Sequence, residues 1–150
     1  MQNEKRRVGI VGYGNLGKYL AKAIIEDKDL ANKFELAFVW NRTKSKIEED
    51  KFIPTETILE NLDAFEEKKA DLIIEVAHPL ITEQYGEAFI SKADFMIGSP
   101  TIFANQKIEE MLTKAASNSK FGVYIPAGAF WGAGDIQKMA DRGDLKGLKV

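Results

Sequence analysis

Gly12, Gly14 and Gly17, in the stretch VGIVGYGNLGKYL (8–20), hold the spacing GxGxxG directly after a short apolar run. Each glycine has its own task in a strand-to-helix turn: Gly12 permits the tight turn, Gly14 lets backbone approach a pyrophosphate, and Gly17 lets the helix pack closely on the strand. A diphosphate then sits at the helix N-terminus, where unpaired N–H groups and the positive dipole end favour an anion. Tyr13, Asn15 and Leu16 belong to the same candidate cradle. The spacing alone is weak evidence, since glycine-rich turns also arise for purely structural reasons, so its context must decide.

A second cluster is VWNRTKSK (39–46). A domain selective for NAD usually shows Asp or Glu at this point to accept bonds from the ribose hydroxyls, and no acid stands here. Asn41 can still bond a ribose hydroxyl. Arg42 with Thr43 offers a fork of donors and a hydroxyl suited to the 2′-phosphate of NADP. The alternative is a solvated basic loop. The expected cofactor is NADP or NAD, with NADP favoured.

Three further stretches fall at strand ends. In EVAHP (75–79), Ala77 and His78 are candidates to lie along the ribose and nicotinamide, while Pro79 fixes the loop and ends the strand. A loop histidine with satisfied hydrogen bonds is the alternative for His78, and Glu75 reads as structural. In GSPT (98–101), Ser99 and Thr101 either cap the following helix or face the nicotinamide or substrate. In PAGAFWG (126–132), Ala127 with Gly128 and Ala129 suits close passage of backbone past a flat ring, and Phe130 and Trp131 read as packing residues. No GxSxG elbow accompanies the serines, so hydrolysis by a Ser-His-Asp triad is disfavoured.

The elements that must position these residues alternate along the chain. Apolar strands are expected at 7–12, 34–40, 70–77, 94–98 and 120–128, with a very short one in KFIP (51–54). Helix-period segments lie between them: 15–29 with Leu16, Leu20, Ala23 and Ile24 on one face; 55–69 with Ile58, Leu59, Leu62 and Phe65 inward and Thr55 as N-cap; 81–93 with Ile81, Tyr85, Ala88 and Phe89 inward; and 102–119 with Ile108, Met111, Leu112 and Ala115 inward. Strands separated by helices imply right-handed crossovers and a parallel sheet covered on both faces. The expected fold is therefore α/β, a Rossmann-type doubly wound three-layer sheet in the order 3-2-1-4-5-6. Its ligand crevice would lie at the carboxyl ends of strands one and four.

Composition narrows the chemistry further. The chain has 150 residues, 45% hydrophobic and 29% charged, with a net charge of -2, which fits one ordinary globular domain with a sizeable core. No Lys/Arg-rich block offers the footprint that nucleic acid requires. No apolar run approaches membrane-spanning length and no signal-peptide core follows the start, so a cytoplasmic protein with no membrane partner is expected. Zero cysteines exclude disulfides and thiolate metal sites, and a single histidine leaves little for a transition metal, so no metal site is expected.

Taken in order, VGIVGYGNLG, FVWNR, LIIEVAHP, MIGSP and GAFWGAGDI resemble the N-terminal domain of the L-aspartate dehydrogenase family, particularly its animal-type members. VWNR, EVAHP and GAFWGAGDI carry most of the specificity. The resemblance implies reversible NAD(P)-dependent oxidation of L-aspartate to iminoaspartate, which hydrolyses to oxaloacetate and ammonia. It also implies that a separate substrate domain supplies the catalytic histidine, most carboxylate-binding groups and often the dimer contacts. His78 is then not that histidine, and no catalytic residue is assigned. Microbial members often carry Ser where this chain has Ala127, so no hydroxyl is available there.

The expected organisation is a dinucleotide-binding domain over 1–134, followed over 135–150 by a connecting helix and the first strand of a substrate domain not otherwise represented, Leu148 and Val150 alternating as a strand would. Such a chain would bind cofactor without efficient turnover. Two alternatives remain open: a non-catalytic NADP-binding sensor or scaffold, and a dehydrogenase or reductase of another small amino or oxo acid.

Overall fold

The computed structural model describes residues 4–126 and 133–148. Six strands, β1 (Arg6–Val11), β2 (Phe34–Trp40), β3 (Ile58–Leu59), β4 (Leu72–Glu75), β5 (Asp94–Ile97) and β6 (Val123–Tyr124), form one sheet in the order β3-β2-β1-β4-β5-β6. Every pairing is parallel. This is the expected doubly wound order. It reverses direction between β1 and β4, so the turns leaving those two strands diverge and open a crevice at their carboxyl ends.

The helices are α1 (Asn15–Glu26), α2 (Lys28–Ala31), α3 (Ser45–Glu48), α4 (Pro79–Lys92), α5 (Gln106–Ser117) and α6 (Ala133–Asp141). Strand residues of alternating orientation divide the interior into two cores, one on each face of the sheet. Val8, Ile10, Val39, Leu72 and Ile74 pack with Ala21 and Ile24 of α1 and Ile47 of α3. Val11, Phe38, Ile73, Phe95 and Ile97 pack with Phe89 and Ile90 of α4 and Ile108 and Leu112 of α5. Phe89 anchors the second core, edge-on to Phe65 at 4.8 Å and 5.3 Å from Phe95 between ring centroids.

Three local expectations are corrected. The segment 55–69 is not one helix: a 3₁₀ turn at Thr55–Thr57 leads into β3 at Ile58–Leu59, and a 3₁₀ helix follows at Leu62–Lys68. Ile58 and Leu59 pair with Val39 and Trp40, so cross-strand pairing overrides the helical period, and the third strand lies here rather than in KFIP. Thr55 accordingly caps no long helix; Asn61 caps the 3₁₀ helix by accepting from the Asp63 N–H at 3.0 Å. On α1 the buried residues are Gly17, Ala21 and Ile24, while Leu16 is 54% exposed, because the close approach of Gly17 to the turn rotates Leu16 outward. On α4 the buried residues are Thr82, Gly86, Phe89 and Ile90, one position round from the expected stripe, and Ala88 is exposed.

Ala127, Gly128, Ala129, Phe130 and Trp131 lie outside the described residues. So does the end of the expected terminal strand at Val150; residues 144–148 before it carry no regular secondary structure.

Candidate functional site

The glycine turn joins β1 to α1 and divides its tasks among the three glycines. Gly12 has φ +110°, a conformation that L side chains rarely adopt, and a Cβ there would stand 2.7 Å from the Ala77 backbone nitrogen. Its N–H donates to the Trp40 carbonyl at 2.7 Å, closing the turn against β2. A Cβ on Gly17 would stand 2.0 Å from the Gly12 carbonyl oxygen, so any side chain would push the helix off the turn. Gly14 is different. A Cβ there would meet nothing within 4 Å, so this position serves open space rather than packing.

Among the described hydrogen bonds, the N–H groups of Asn15, Leu16 and Gly17 have no acceptor; the first bonded N–H of α1 is that of Lys18, to the Gly14 carbonyl at 2.9 Å. Helix geometry requires such a set of free donors, and here no side chain caps it. Three unpaired donors beside an open glycine, at the positive end of a twelve-residue helix, are the groups that can bond an anion.

From this turn a cleft of about 530 Å³ runs along the carboxyl edge of the sheet, lined at one end by Trp40, Asn41, Arg42 and Lys46 and at the other by Val76, Ala77, His78 and Leu80. The expected residues Gly12, Tyr13, Gly14, Asn41, Arg42, Ala77 and His78 therefore come together on one surface. Ile81, Gln84 and Tyr85 of α4 complete the wall. Arg42 and Lys46 are exposed, and among the described residues neither makes an ion pair. Lys44, between them, is instead turned to Glu48 and Glu60, whose carboxylates raise its pKa. Thr43 is exposed beside Arg42, and its carbonyl accepts from Asn41 Nδ2 at 2.9 Å. Asn41 Oδ1 accepts from the Tyr13 N–H at 3.1 Å, so both ends of this amide have partners within the chain.

At the other end Glu75 is fully buried. Its Oε1 accepts from the N–H groups of Ala77 at 2.7 Å and His78 at 2.9 Å and from Ser99 Oγ at 3.0 Å; its Oε2 accepts from Thr82 Oγ1 at 3.2 Å. Two backbone N–H groups and two hydroxyls thus occupy both carboxyl oxygens. Glu75 thus ties the end of β4, the start of α4 and the end of β5 into one unit. His78 caps α4, its Nδ1 accepting from the Leu80 N–H at 3.2 Å, which places the proton of the neutral ring on Nε2, and Pro79 takes the first helical position. Ser99 makes no cap; α5 is capped by Asn105, and Thr101 is exposed in the 3₁₀ turn Pro100–Ala104.

Sequence reading missed Lys46, although the two basic residues of NRTKSK that line the cleft stand four apart. It also missed Asp50, whose partners are remote in sequence: Tyr13 Oη donates to it at 3.0 Å and Lys18 Nζ at 2.8 Å. The Lys18 ammonium and then the Tyr13 phenol hold the Asp50 carboxyl below the usual range. Burial first, then the bond to Asp50, pushes the Tyr13 phenol well up. Among the described residues no group of three His, Asp or Glu could hold a metal, and no helix is long and apolar enough to cross a membrane.

A parallel sheet in the order 3-2-1-4-5-6, with a glycine turn at its reversal and free donors above that turn, defines the Rossmann class of dinucleotide-binding domains. Within that class the chain belongs to the family described as homoserine dehydrogenase, NAD binding domain, whose model matches residues 12–126.

It is 46% identical over 151 aligned residues to an aspartate dehydrogenase domain-containing protein of Xenopus tropicalis, covering 100% of this chain and 52% of that protein. A protein of the same description from Danio rerio is 40% identical over 150 residues, covering 100% and 53%. An L-aspartate dehydrogenase of Methanococcus maripaludis is 28% identical over 141 residues, covering 90% and 52%. The chain thus spans about half the length of the curated relatives it matches. The crystal structure of Thermotoga maritima aspartate dehydrogenase superposes with a TM-score of 0.65 at 23% identity, covering 92% of this chain and 52% of that one. S. aureus homoserine dehydrogenase gives 0.67 at 17% identity, covering 83% and 32%. These two structures share the fold, and the sequence relatives confirm the resemblance to the aspartate dehydrogenase family.

Proposed function

We propose that this chain is the cofactor-binding half of an NAD(P)-dependent amino-acid dehydrogenase acting on L-aspartate. The observation that carries the cofactor assignment is the open space at Gly14 beside the unpaired N–H groups of Asn15, Leu16 and Gly17. These donors receive the diphosphate. The adenosine ribose lies toward Asn41, Arg42 and Thr43, and the nicotinamide toward Ala77, His78, Pro79 and the neighbourhood of Ser99; Ala127, assigned to the cofactor from sequence, lies outside the described residues.

Arg42 and Lys46, two cations with no ion-pair partner among the described residues, just beyond a β2 end that carries no acid, favour a ribose 2′-phosphate, so NADP is bound at least as well as NAD. When bound, the nicotinamide accepts a hydride from the substrate carbon that bears the amine. This chain's part is to hold and orient the ring. Glu75 fixes the backbone of Ala77 and His78, and it holds the Ser99 hydroxyl in place. Aspartate is assigned on the relatives' names, and iminoaspartate, hydrolysing to oxaloacetate and ammonia, follows as product. The groups that bind the substrate carboxylates and move its protons belong to a further domain, which would also carry dimer contacts.

Titrating NADPH and NADH into the 150-residue chain tests the cofactor half of this reading. Assaying a longer form that includes a second domain, with aspartate or with oxaloacetate plus ammonia, tests the reaction. A longer form that binds NADPH yet turns over neither pair would overturn the substrate assignment.

A further inference from the structure

Tyr13 stands between Gly12 and Gly14, yet its side chain belongs to the core on the α1 face of the sheet and is 5% exposed, whereas Asn15 and Leu16 are exposed. Its two polar groups go to two different places. The N–H donates to Asn41 Oδ1 at 3.1 Å, and the phenol O–H donates to Asp50 Oδ2 at 3.0 Å. Asn41 and Asp50 are the first and last residues of the segment 41–50, which leaves β2, forms α3 and carries Arg42 and Lys46 into the cleft. A single residue of the glycine turn therefore bonds both ends of the segment that presents Arg42 and Lys46.

Other contacts complete the frame. Lys18 on α1 bonds Asp50 Oδ1 at 2.8 Å, and Asn41 Nδ2 bonds the Thr43 carbonyl at 2.9 Å. Ile47, on α3 between the two ends, is fully buried in the core beneath α1. Lys44 is held on the outer side by Glu48 and Glu60. Only Arg42 and Lys46 are left facing the cleft among the basic residues of the segment.

We infer that Tyr13 is a positioning residue for cofactor choice: by holding segment 41–50 at both ends, it keeps Arg42 and Lys46 where an anionic substituent on the adenosine ribose is read. The inference rests on the dinucleotide reading above. Releasing one end lets the cations sample other positions, and the lost ordering is charged against binding. An NAD ribose, whose hydroxyls are neutral, loses little by this. An NADP ribose, bearing a dianionic phosphate, loses its fixed counter-charges.

The test compares NADP+ and NAD+ binding by calorimetry in the unsubstituted chain, Tyr13→Phe and Asp50→Asn, with circular dichroism confirming the fold. Tyr13→Phe keeps the buried ring and removes only the phenol bond; Asp50→Asn weakens the same tie from its other side without touching the turn. The expected result is an NADP+ affinity about three- to tenfold weaker in both variants, the size of one or two side chains left to be ordered on binding, with NAD+ changed less than twofold. Equal losses for the two cofactors would make Tyr13 a support of the fold alone and overturn the inference, as would unchanged NADP+ binding. Failure of both cofactors to bind the unsubstituted chain would overturn the dinucleotide reading itself, and this inference with it.

Discussion

Ser99 Oγ donates to Glu75 Oε1 at 3.0 Å, so the carboxyl ends of β5 and β4 are joined through a hydroxyl and a wholly buried carboxylate. The same oxygen accepts from two backbone N–H groups of the loop that lines the cleft. A buried carboxylate with no cationic partner among the described residues is stable only because donors surround it.

Removing it leaves those donors without an acceptor. Glu75→Ala is expected to lower stability by about 3 kcal/mol, which for a chain of this size is a melting point lower by roughly 10 °C. Glu75→Gln retains an acceptor oxygen and offers an amide donor to Thr82, so its loss should be about 1 kcal/mol. Thermal unfolding of the two variants checks the order; equal losses would contradict it.

The glycines predict a separation of fold from binding. Gly12→Ala forces a side chain against the Ala77 backbone at a positive φ and should cost at least ~2 kcal/mol. Gly17→Ala should be as damaging, since its Cβ would overlap the Gly12 carbonyl. Urea unfolding of both variants measures these costs directly.

Charge at the adenosine end can be reversed without touching the core. Arg42→Asp places an acceptor for ribose hydroxyls where a cation stood, and is expected to weaken NADPH binding at least tenfold while NADH binding holds or improves. Lys46→Ala should weaken NADPH by a smaller factor, about threefold, because a lysine contributes as a point charge without a bidentate fork. Unchanged NADPH affinity in Arg42→Asp would remove Arg42 from the site.

Two pH dependences follow from the Tyr13–Asp50–Lys18 cluster. Asp50 is held below its ordinary value of 3.8 by Lys18 and then Tyr13, so its contribution to stability is present at neutral pH and is lost as pH falls below that value through the depressed one. The stability gap between the unsubstituted chain and Asp50→Asn should therefore narrow in acid. The Tyr13 phenol is raised above its ordinary 10.0, chiefly by burial, so its contribution is intact below pH ~10 and is lost as pH rises further. Tyr13→Phe should unfold less steeply above pH ~10, as measured by melting temperature against pH.

Much of this architecture was legible because parallel strands buried on both faces are continuous apolar runs, and the glycine spacing, set between such a run and a helical period, marks the first crossover. The segment 55–69 was not legible. Its Ile58, Leu59, Leu62 and Phe65 do turn inward or half-inward, as a helix would place them, but two of them are held by pairing with β2, a partner remote in sequence. The site followed the same division. Arg42, Ala77 and His78 are located by their places at strand ends, which topology brings together. The partners of Tyr13, at Asn41 and Asp50, lie 28 and 37 residues away and leave no periodic signal. Lys46 lies one helical turn beyond Arg42, but only the tethered course of segment 41–50 brings it to the cleft.

If the turn at Gly12–Gly17 holds a dinucleotide diphosphate, Gly14 is the position to substitute, because a Cβ there would meet nothing within 4 Å beyond its chain neighbours. The decisive measurement is a fluorescence titration of NADPH into the unsubstituted chain and Gly14→Ala, with melting temperatures recorded on the same samples. The expected result is saturable binding in the unsubstituted chain, at least tenfold weaker binding in Gly14→Ala, and melting temperatures within about 2 °C of each other. Equal NADPH affinity in the two proteins, or no binding by the folded unsubstituted chain, would contradict it.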